Sequence, residues 1–192
     1  MKLILRSTLY VVVLTVLLGG VYPGVVTLLA RTLWRDRADG SFVESGGRVV
    51  GSELIGQNFH GAKYLHPRPS AAGKEGYDAT GSTGTNKGST DADLAKSIES
   101  AVAEARKDRP GDSRPVPADL VTSSASGLDP HLSPDAAEWQ AARIALARGV
   151  TEEQVLAVIR RHVEPRTLGF LGEPRVNVLL TNLDLDRTLP HP

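Results

Sequence analysis

The chain has 192 residues, and its 22 basic and 22 acidic residues give a formal net charge of zero. This length accommodates one membrane segment and one domain of ordinary size, and the balanced charge argues against nucleic acid or another polyanion as the partner. The sequence contains no cysteine, so disulfides, thiolate metal sites and cysteine nucleophiles are excluded.

An uncharged, mostly apolar run extends from residue 7 to residue 30. About 20 such residues in a helix cross a bilayer core of about 30 Å, so the run predicts a transmembrane helix at 7–30 after a short tail at 1–6. The alternative is a cleaved signal peptide. The run continues past Gly19-Gly20 and no A-x-A site follows, which favours a retained anchor. Basic residues flank both ends about equally, so charge does not decide the orientation.

Several residues of this helix indicate contact with another helix. Pro23 has no amide hydrogen and therefore frees the carbonyl of Gly19, which needs a new partner in lipid. Gly20 and Gly24 lie four residues apart on one face and permit close approach of a second helix. The hydroxyl of Tyr22 needs a hydrogen-bond partner or the membrane interface. A kinked solitary anchor remains the alternative.

The rest of the chain is predicted to form a polar linker at 31–47 and a soluble domain at 48–192. Residues 48–56 are typical of one or two short strands ended by glycine. Between Leu65 and Leu94 the only large apolar side chain is Tyr77, so this segment builds no core of its own. Two interpretations stay open for it: a loop that faces a partner, or a disordered segment.

Three helices and a strand are predicted further along. Each helix has a polar residue at its start and a helix-breaking residue near its end, and the helices run from Thr90 to Arg109, from Ser133 to Gly149 and from Thr151 to Glu164. Trp139, Ile144 and Leu146 of the second helix are expected to face the core. Residues 175–182 are rich in β-formers and predict a closing strand. Together these elements predict a single N-terminal transmembrane helix followed by a small α+β domain.

A segment with serine, aspartate and histidine raises the question of catalysis. Ser124, Ser126, Asp129 and His131 supply the residue types of a nucleophilic triad, so an anchored serine hydrolase is the alternative function. Neither serine has the flanking glycines of a nucleophile elbow, and a turn stabilised by hydroxyl and carboxylate acceptors explains the same residues. There is no phosphate-binding loop. No metal site is predicted, because no ligand spacing occurs among the histidines, His60, His66, His131, His162 and His191.

A series of short segments runs in order along the chain. They are Tyr22-Pro23, Gly51–Phe59, Arg68–Ala72, Tyr77-Asp78, Asn86 with Gly88, Val116–Thr122, Ser126–Pro134, Ala136-Ala137 with Gln140, Ala147–Gly149 and Leu168–Asp186. Taken together, the series resembles the C subunit of the Kdp potassium-transporting ATPase. Ser89 and Asp91 depart from this pattern, since the family commonly has Pro and Asn there.

The resemblance implies a non-catalytic accessory subunit of a high-affinity, ATP-driven potassium uptake complex. Its implied partners are a potassium-conducting A subunit, a P-type ATPase B subunit that carries the catalysis, and a small F subunit. Potassium is then the transported ion of the complex. The resemblance also implies the inner membrane of a bacterial cell, with the domain after the helix placed outside the cytoplasm over the A subunit.

The resemblance further implies sites. The family is described as a catalytic chaperone that raises the ATP affinity of the B subunit, which would place nucleotide contact at Ser124, Ser126, Gly127 and Gln140. ATP is cytosolic, so this role conflicts with a domain outside the cytoplasm, and the topology is preferred. Contacts with partner subunits are expected at Gly20, Tyr22, Pro23, Gly24, Arg68, Pro69, Ser70, Asp129 and His131.

Overall fold

The chain begins with a long helix that runs from Lys2 to Leu33 in a computed structural model, which describes residues 1–189. The helix is long and apolar enough to cross a membrane, and none of its described side chains is buried against the rest of the chain. The predicted membrane helix is confirmed as an element, and it continues for several residues beyond 7–30 at each end. The chain as a whole divides into two units between Ser52 and Glu53.

A π turn interrupts the membrane helix just before its proline. Helix α1 spans Lys2–Val16, the π turn spans Leu17–Val21, and helix α2 spans Tyr22–Leu33. The amide of Tyr22 donates to the carbonyl of Leu17, five residues back. Pro23 cannot donate to Gly19, and the wider turn shifts the hydrogen-bond register at this point. The hydrogen-bond register of the helix therefore changes in the turn just before its proline.

A short helix and a β-hairpin follow within the first unit. Helix α3 spans Arg35–Ala38, and strands β1, Phe42–Ser45, and β2, Arg48–Ser52, pair antiparallel. Gly46 and Gly47 join the strands, and both have positive φ, as the tightest hairpin turns require. The predicted linker at 31–47 thus contains α3 and β1, and the division between units falls after β2 rather than at residue 48.

The second unit starts with a long segment that has no helix. From Gly56 to Asp91, all of which the structure describes, the backbone forms turns and extended stretches only. The segment is nevertheless packed, because the side chains of Leu65 and Ala72 are fully buried. The stretch around these two residues is therefore packed into the domain, and the interpretation as a disordered segment is wrong there; for the exposed residues that follow, both interpretations stay predictions.

Four α-helices occupy the middle of the second unit. They are α4, Ala92–Ala105, α5, Pro134–Trp139, α6, Ala141–Arg148, and α7, Glu152–Arg161. The cap of α4 is Asp91 rather than Thr90, and its carboxylate accepts from the amides of Asp93 and Leu94. Ser133 caps α5 as predicted, and Thr151 with Gln154 forms the predicted capping box of α7.

The second predicted helix differs in two respects. It is divided at Gln140 into α5 and α6, and it ends at Gly149, which has a φ of 68°. Trp139 and Ile144 are buried, but Leu146 is 86% exposed, so its expected place in the core is wrong. The third predicted helix ends at His162, and Val163 lies in a strand.

A small antiparallel sheet carries the core of the domain. Strands β3, His131–Leu132, β4, Val163–Glu164, and β5, Arg175–Asn177, have the order β3-β5-β4. The predicted strand at 175–182 is wrong after Asn177, since helix α8, Val178–Thr188, begins there. The Asn177 side chain accepts from the amide of Leu180 and starts this helix. Leu132, Ile144, Val155, Ile159, Val176 and Leu185 pack together at the centre. The predicted α+β class is confirmed.

Candidate functional site

The expected contact residues of the membrane helix lie on an open surface. A Cβ atom added at Gly20 or at Gly24 would meet no described atom within 4 Å, apart from the helix's own backbone nearby. Tyr22 is also largely exposed. The face that carries Gly20 and Gly24 is therefore free within the described chain to receive a second helix or lipid, as its small residues suggest.

Arg68 lies where several loops of the second unit meet. Its Nε and Nη2 atoms donate to the carbonyl and hydroxyl of Thr122, at 3.3 and 3.2 Å. Its Nη1 atom lies 3.3 Å from a carboxylate oxygen of Asp129 and 3.7 Å from one of Asp119. The side chain is mostly buried. The structure thus places this expected partner contact inside the domain, where it joins separate loops.

Ser70 links the same loops through its hydroxyl. The Oγ atom donates to the carbonyl of Gly127 at 2.7 Å and accepts from the amides of Ala72 and Tyr77. The Tyr77 hydroxyl donates to the carbonyl of Arg68 at 2.8 Å. Burial, with a contribution from the Asp129 charge, raises the pKa of Tyr77 and keeps it neutral as this donor. Pro69 is half-buried between these anchored residues.

Gly127 allows two backbones to approach closely. Its φ is 65°, and a Cβ atom there would lie 2.6 Å from the carbonyl oxygen of Thr83 and 2.9 Å from the Cβ of Ala72. Such distances are shorter than any ordinary contact, so only glycine fits this position. The expected nucleotide contact Gly127 is accordingly buried as a packing position. We call Arg68, Ser70, Tyr77, Gly127 and Asp129 the loop cluster.

The residues of the hypothetical triad form a turn instead. Ser124 Oγ accepts from the amide of Gly127, and Ser126 Oγ accepts from the amide of Leu128. Asp129 accepts from the amide of His131 at 3.0 Å, and the ring Nδ1 of His131 lies 3.7 Å from the same carboxylate oxygen. These contacts confirm the interpretation as a turn.

His131 is placed to pair with Asp129 rather than with a serine. Burial lowers the pKa of His131, and the Asp129 charge opposes that shift only in part. No hydrogen bond joins His131 to Ser124 or Ser126 among the residues that the structure describes. The arrangement lacks the serine–histidine pair that a nucleophile needs for activation.

Gln140, the remaining expected nucleotide contact, is in the core. It is only 1% exposed, its Oε1 accepts from the amide of His66 at 2.8 Å, and its Nε2 donates to the carbonyl of His66 at 3.0 Å. Arg143 donates to the same Oε1 atom. Burial, reinforced by the Arg143 charge, lowers the pKa of His66. The amide of Gln140 is thus used to fix the segment that leads to Arg68.

Two further buried polar residues support this segment, and the sequence analysis missed both. Asn182 on α8 accepts from the amide of Leu65 at 2.7 Å and donates to its carbonyl at 3.0 Å. Arg148 on α6 is fully buried and donates to the carbonyls of Lys63 and Leu185. The signal that could have revealed Arg148 and Asn182 is a polar residue at a helix position that faces the core. A buried polar side chain must find partners, and a backbone without sheet pairing supplies them.

Charged and polar groups elsewhere are largely paired with one another. A cavity of about 630 Å³ lies beside α5 and α7, and Arg109 and Glu152 in its wall are bonded to each other. Within residues 1–189 there is no group of three or more histidine and carboxylate side chains that could hold a metal ion, and His191 lies outside that range.

Comparison with known proteins identifies the family. Residues 4–187 match the family described as K+-transporting ATPase, c chain. The chain belongs to the KdpC family. A KdpC subunit from Koribacter versatilis is 49% identical over 191 residues, which cover 100% of this chain and 97% of the relative. One from Myxococcus xanthus is 58% identical over 177 residues, which cover 92% and 83%.

Membership of the KdpC family confirms the resemblance inferred from the sequence. A third relative, from Rhodospirillum rubrum, is 50% identical over 177 residues, or 92% of this chain and 91% of its own length. All three relatives bear the name potassium-transporting ATPase KdpC subunit. The chain is therefore a subunit of a potassium-transporting ATPase system, and its single apolar N-terminal helix fits a membrane anchor.

Proposed function

We propose that this KdpC-family chain is a non-catalytic subunit that assembles or stabilises an ATP-driven potassium uptake complex in the bacterial inner membrane. One observation carries the proposal: the family match over residues 4–187, which includes an apolar helix without a buried side chain among its described residues and with an open Gly20–Gly24 face. The partners are a potassium-conducting A subunit, an ATP-hydrolysing B subunit and a small F subunit. The soluble domain lies outside the cytoplasm.

The geometry of the loop cluster and of the neighbouring turn at residues 124–131 supports a structural rather than a catalytic role. Ser126, Asp129 and His131 bond to nearby backbone amides or to one another, and Arg68 is engaged by two carboxylates. A serine hydrolase would need its base beside its nucleophile. The proposal assigns catalysis to the B subunit.

Nucleotide contact by this chain has less support. Of its four expected residues, Gln140 is buried with its amide bonded, and Gly127 is buried. Ser124 and Ser126 accept from amides of their own turn. If this subunit changes the ATP affinity of the B subunit, the effect is transmitted through assembly and not through a bound nucleotide.

Co-purification tests the proposal. The full chain, tagged and expressed with the genes of its neighbouring transport subunits, is purified in mild detergent, and the large membrane subunits are expected to elute with it. Replacing Gly20 and Gly24 together by Leu is expected to reduce that recovery several-fold, because the bulk prevents close helix contact. Val26→Phe, which adds bulk two residues from Gly24 and so on another face, serves as the control. A wild-type chain that elutes alone would contradict the proposal.

A further inference from the structure

The membrane helix ends in a segment that is rich in arginine. Arg31 is the first charged residue after the uncharged run, and Arg35 and Arg37 follow shortly after it. The hydrocarbon core of a bilayer is flanked on each side by a headgroup layer of roughly 5 to 8 Å. At about 1.5 Å per residue, the segment from residue 31 to residue 37 extends over roughly 9 Å. These arginines therefore lie at the depth of the lipid headgroups when the helix spans a membrane.

Trp34 gives independent support for this depth. Its side chain is 58% exposed, and its backbone φ of −142° interrupts the helix between α2 and α3. Within residues 1–189 its indole N–H group has no hydrogen-bond partner in the chain. Tryptophan is enriched at membrane interfaces, where its ring meets apolar chains and its N–H group meets polar headgroups. An exposed tryptophan at this position is typical of a segment that lies in the headgroup layer.

One carboxylate holds two of the arginines side by side. The Nε atom of Arg31 lies 3.4 Å from one oxygen of Asp39, and the Nε atom of Arg35 lies 3.7 Å from the other. Two guanidinium groups repel each other, and the shared carboxylate offsets that repulsion. The terminal Nη atoms of both arginines make no hydrogen bond within the described residues. Because the two side chains are 67% and 82% exposed, these donors are accessible to a ligand.

The arrangement matches the chemistry of a phosphate group. A guanidinium presents its N–H groups in a planar fork that fits two phosphate oxygens. Residues 31–39 contain three arginines and two aspartates, so one positive charge is left over. At headgroup depth the nearest phosphates are those of the lipids. A zwitterionic headgroup carries a cation of its own, whereas an anionic headgroup leaves the phosphate charge for the arginines.

We infer that Arg31 and Arg35, held together by Asp39, bind the phosphate of an anionic phospholipid at the end of the membrane helix. The inference rests on the membrane anchorage that is part of the proposed function, and it adds a lipid ligand to the protein partners. It makes no assumption about the side of the membrane on which this end of the helix lies.

Lipid binding to the full chain tests the inference. The chain is purified in a neutral detergent and mixed with equal amounts of phosphatidylglycerol and phosphatidylcholine, and bound lipids are counted by native mass spectrometry. We expect the wild type to prefer phosphatidylglycerol. Arg31→Gln combined with Arg35→Gln should lower this preference at least about fivefold, since each arginine near a lipid surface contributes roughly that factor.

A matched control removes two arginines from ion pairs elsewhere. Arg160→Gln combined with Arg166→Gln makes the same change in charge, and each of these exposed arginines also pairs with a carboxylate. This control should bind the two lipids as the wild type does. An equal loss of preference in the control would show a general effect of charge and overturn the inference.

Two further conditions distinguish a phosphate site from simple attraction. Arg31→Lys combined with Arg35→Lys keeps both charges but not the forked donors, so it should also lose most of the preference. An unchanged preference in the glutamine or the lysine variant would overturn the inference. Millimolar inorganic phosphate should leave phosphatidylglycerol bound. Its displacement would identify a free anion as the ligand and overturn the assignment to lipid.

A measurement on the unaltered chain decides the question if the variants fail to fold. The chain is placed in nanodiscs that contain both lipids, only one of which is brominated in its acyl chains, and the quenching of tryptophan fluorescence is recorded. Trp139 is buried, so the quenching reports mainly on Trp34. Stronger quenching by brominated phosphatidylglycerol than by brominated phosphatidylcholine supports the inference, and equal quenching would overturn it. Neither result alters the co-purification experiment, which tests the proposed function separately.

Discussion

At the residue scale, Arg68 joins several loops of the second unit through its side chain. Its guanidinium contacts Thr122, Asp119 and Asp129, so Arg68→Gln leaves two carboxylates and a carbonyl without their cation. We expect the free energy of unfolding to fall by about 2 kcal/mol, since partly buried charged groups lose their partner. The measurement is chemical unfolding of the full chain in detergent, followed by tryptophan fluorescence.

A matched arginine provides the control for this prediction. Arg160 pairs with Glu138 through a largely exposed guanidinium, so solvent screens the pair and Arg160→Gln should destabilise the fold much less than Arg68→Gln. Equal effects of the two substitutions would contradict the structural role assigned to Arg68. A large loss of partner binding by Arg68→Gln without any loss of stability would restore the original expectation of a direct partner contact.

The hydrogen bonds of the Asp184 carboxylate predict that the stability of the fold depends on pH. Burial opposes the charged carboxylate, but hydrogen bonds from His162 and Arg187 prevail and lower its pKa. A carboxyl group with a lowered pKa stabilises the fold at pH values above its unfolded value of about 3.9, and this contribution is lost as the pH falls through the folded value. The expected result is a decrease in stability below about pH 4 that is smaller in Asp184→Asn.

Acid titration of unfolding measures this contribution. The wild type and Asp184→Asn are compared in the same detergent from neutral pH to about pH 3, a range that brackets the unfolded pKa. At neutral pH the variant should be the less stable of the two, because its amide replaces a paired charge. Parallel curves for the two proteins over the whole range would exclude Asp184 as a source of the acid sensitivity.

At the scale of elements, Gly127 determines how closely two loops pack. Gly127→Ala combines an unfavourable φ of 65° with a Cβ atom 2.6 Å from the carbonyl oxygen of Thr83. Gly149→Ala has nearly the same φ, 68°, but no atom within 4 Å of its Cβ, so it measures the backbone cost alone. We expect about 1–2 kcal/mol for Gly149→Ala and a clearly larger loss for Gly127→Ala. Similar losses would show that the loops can separate at little cost.

The elements that were predicted correctly depend on local signals. The capping box of Thr151 and Gln154 and the Ser133-Pro134 start are formed by residues within one turn, so their meaning does not depend on the rest of the fold. The strand at β5 was overextended because β-forming residues continue past Asn177, whose side chain instead begins α8. The hairpin at Gly46-Gly47 was missed although its turn signal was present.

The site was less predictable than the elements. The segment around Leu65 and Arg68 is fixed by Gln140, Arg148 and Asn182, which lie far from it in the chain. No local pattern specifies such pairings, so a sequence rich in Gly, Ser and Pro resembled either disorder or a free loop. The same reason explains why Arg68 and Ser70, expected to face a partner, point into their own domain.

At the scale of the whole molecule, the two units present different surfaces for assembly. The first offers an apolar helix that has no buried side chain among its described residues. The second bonds Gln140, Arg148 and Asn182 within its own core and exposes the apolar side chains of Leu168, Phe170 and Leu171. Under the proposed function, this chain contributes affinity and orientation to the complex, and another chain carries out the chemistry.

Sidedness of the second unit tests the account most directly. Ser89 is exposed and lies in the second unit, and Lys2 begins the membrane helix at its other end. In the cysteine-free chain, Ser89→Cys and Lys2→Cys are labelled separately with a membrane-impermeant thiol reagent in intact cells and after lysis. We expect the cysteine at position 89 to react in intact cells and the one at position 2 to react only after lysis. The reverse pattern would place the domain in the cytoplasm and contradict the account.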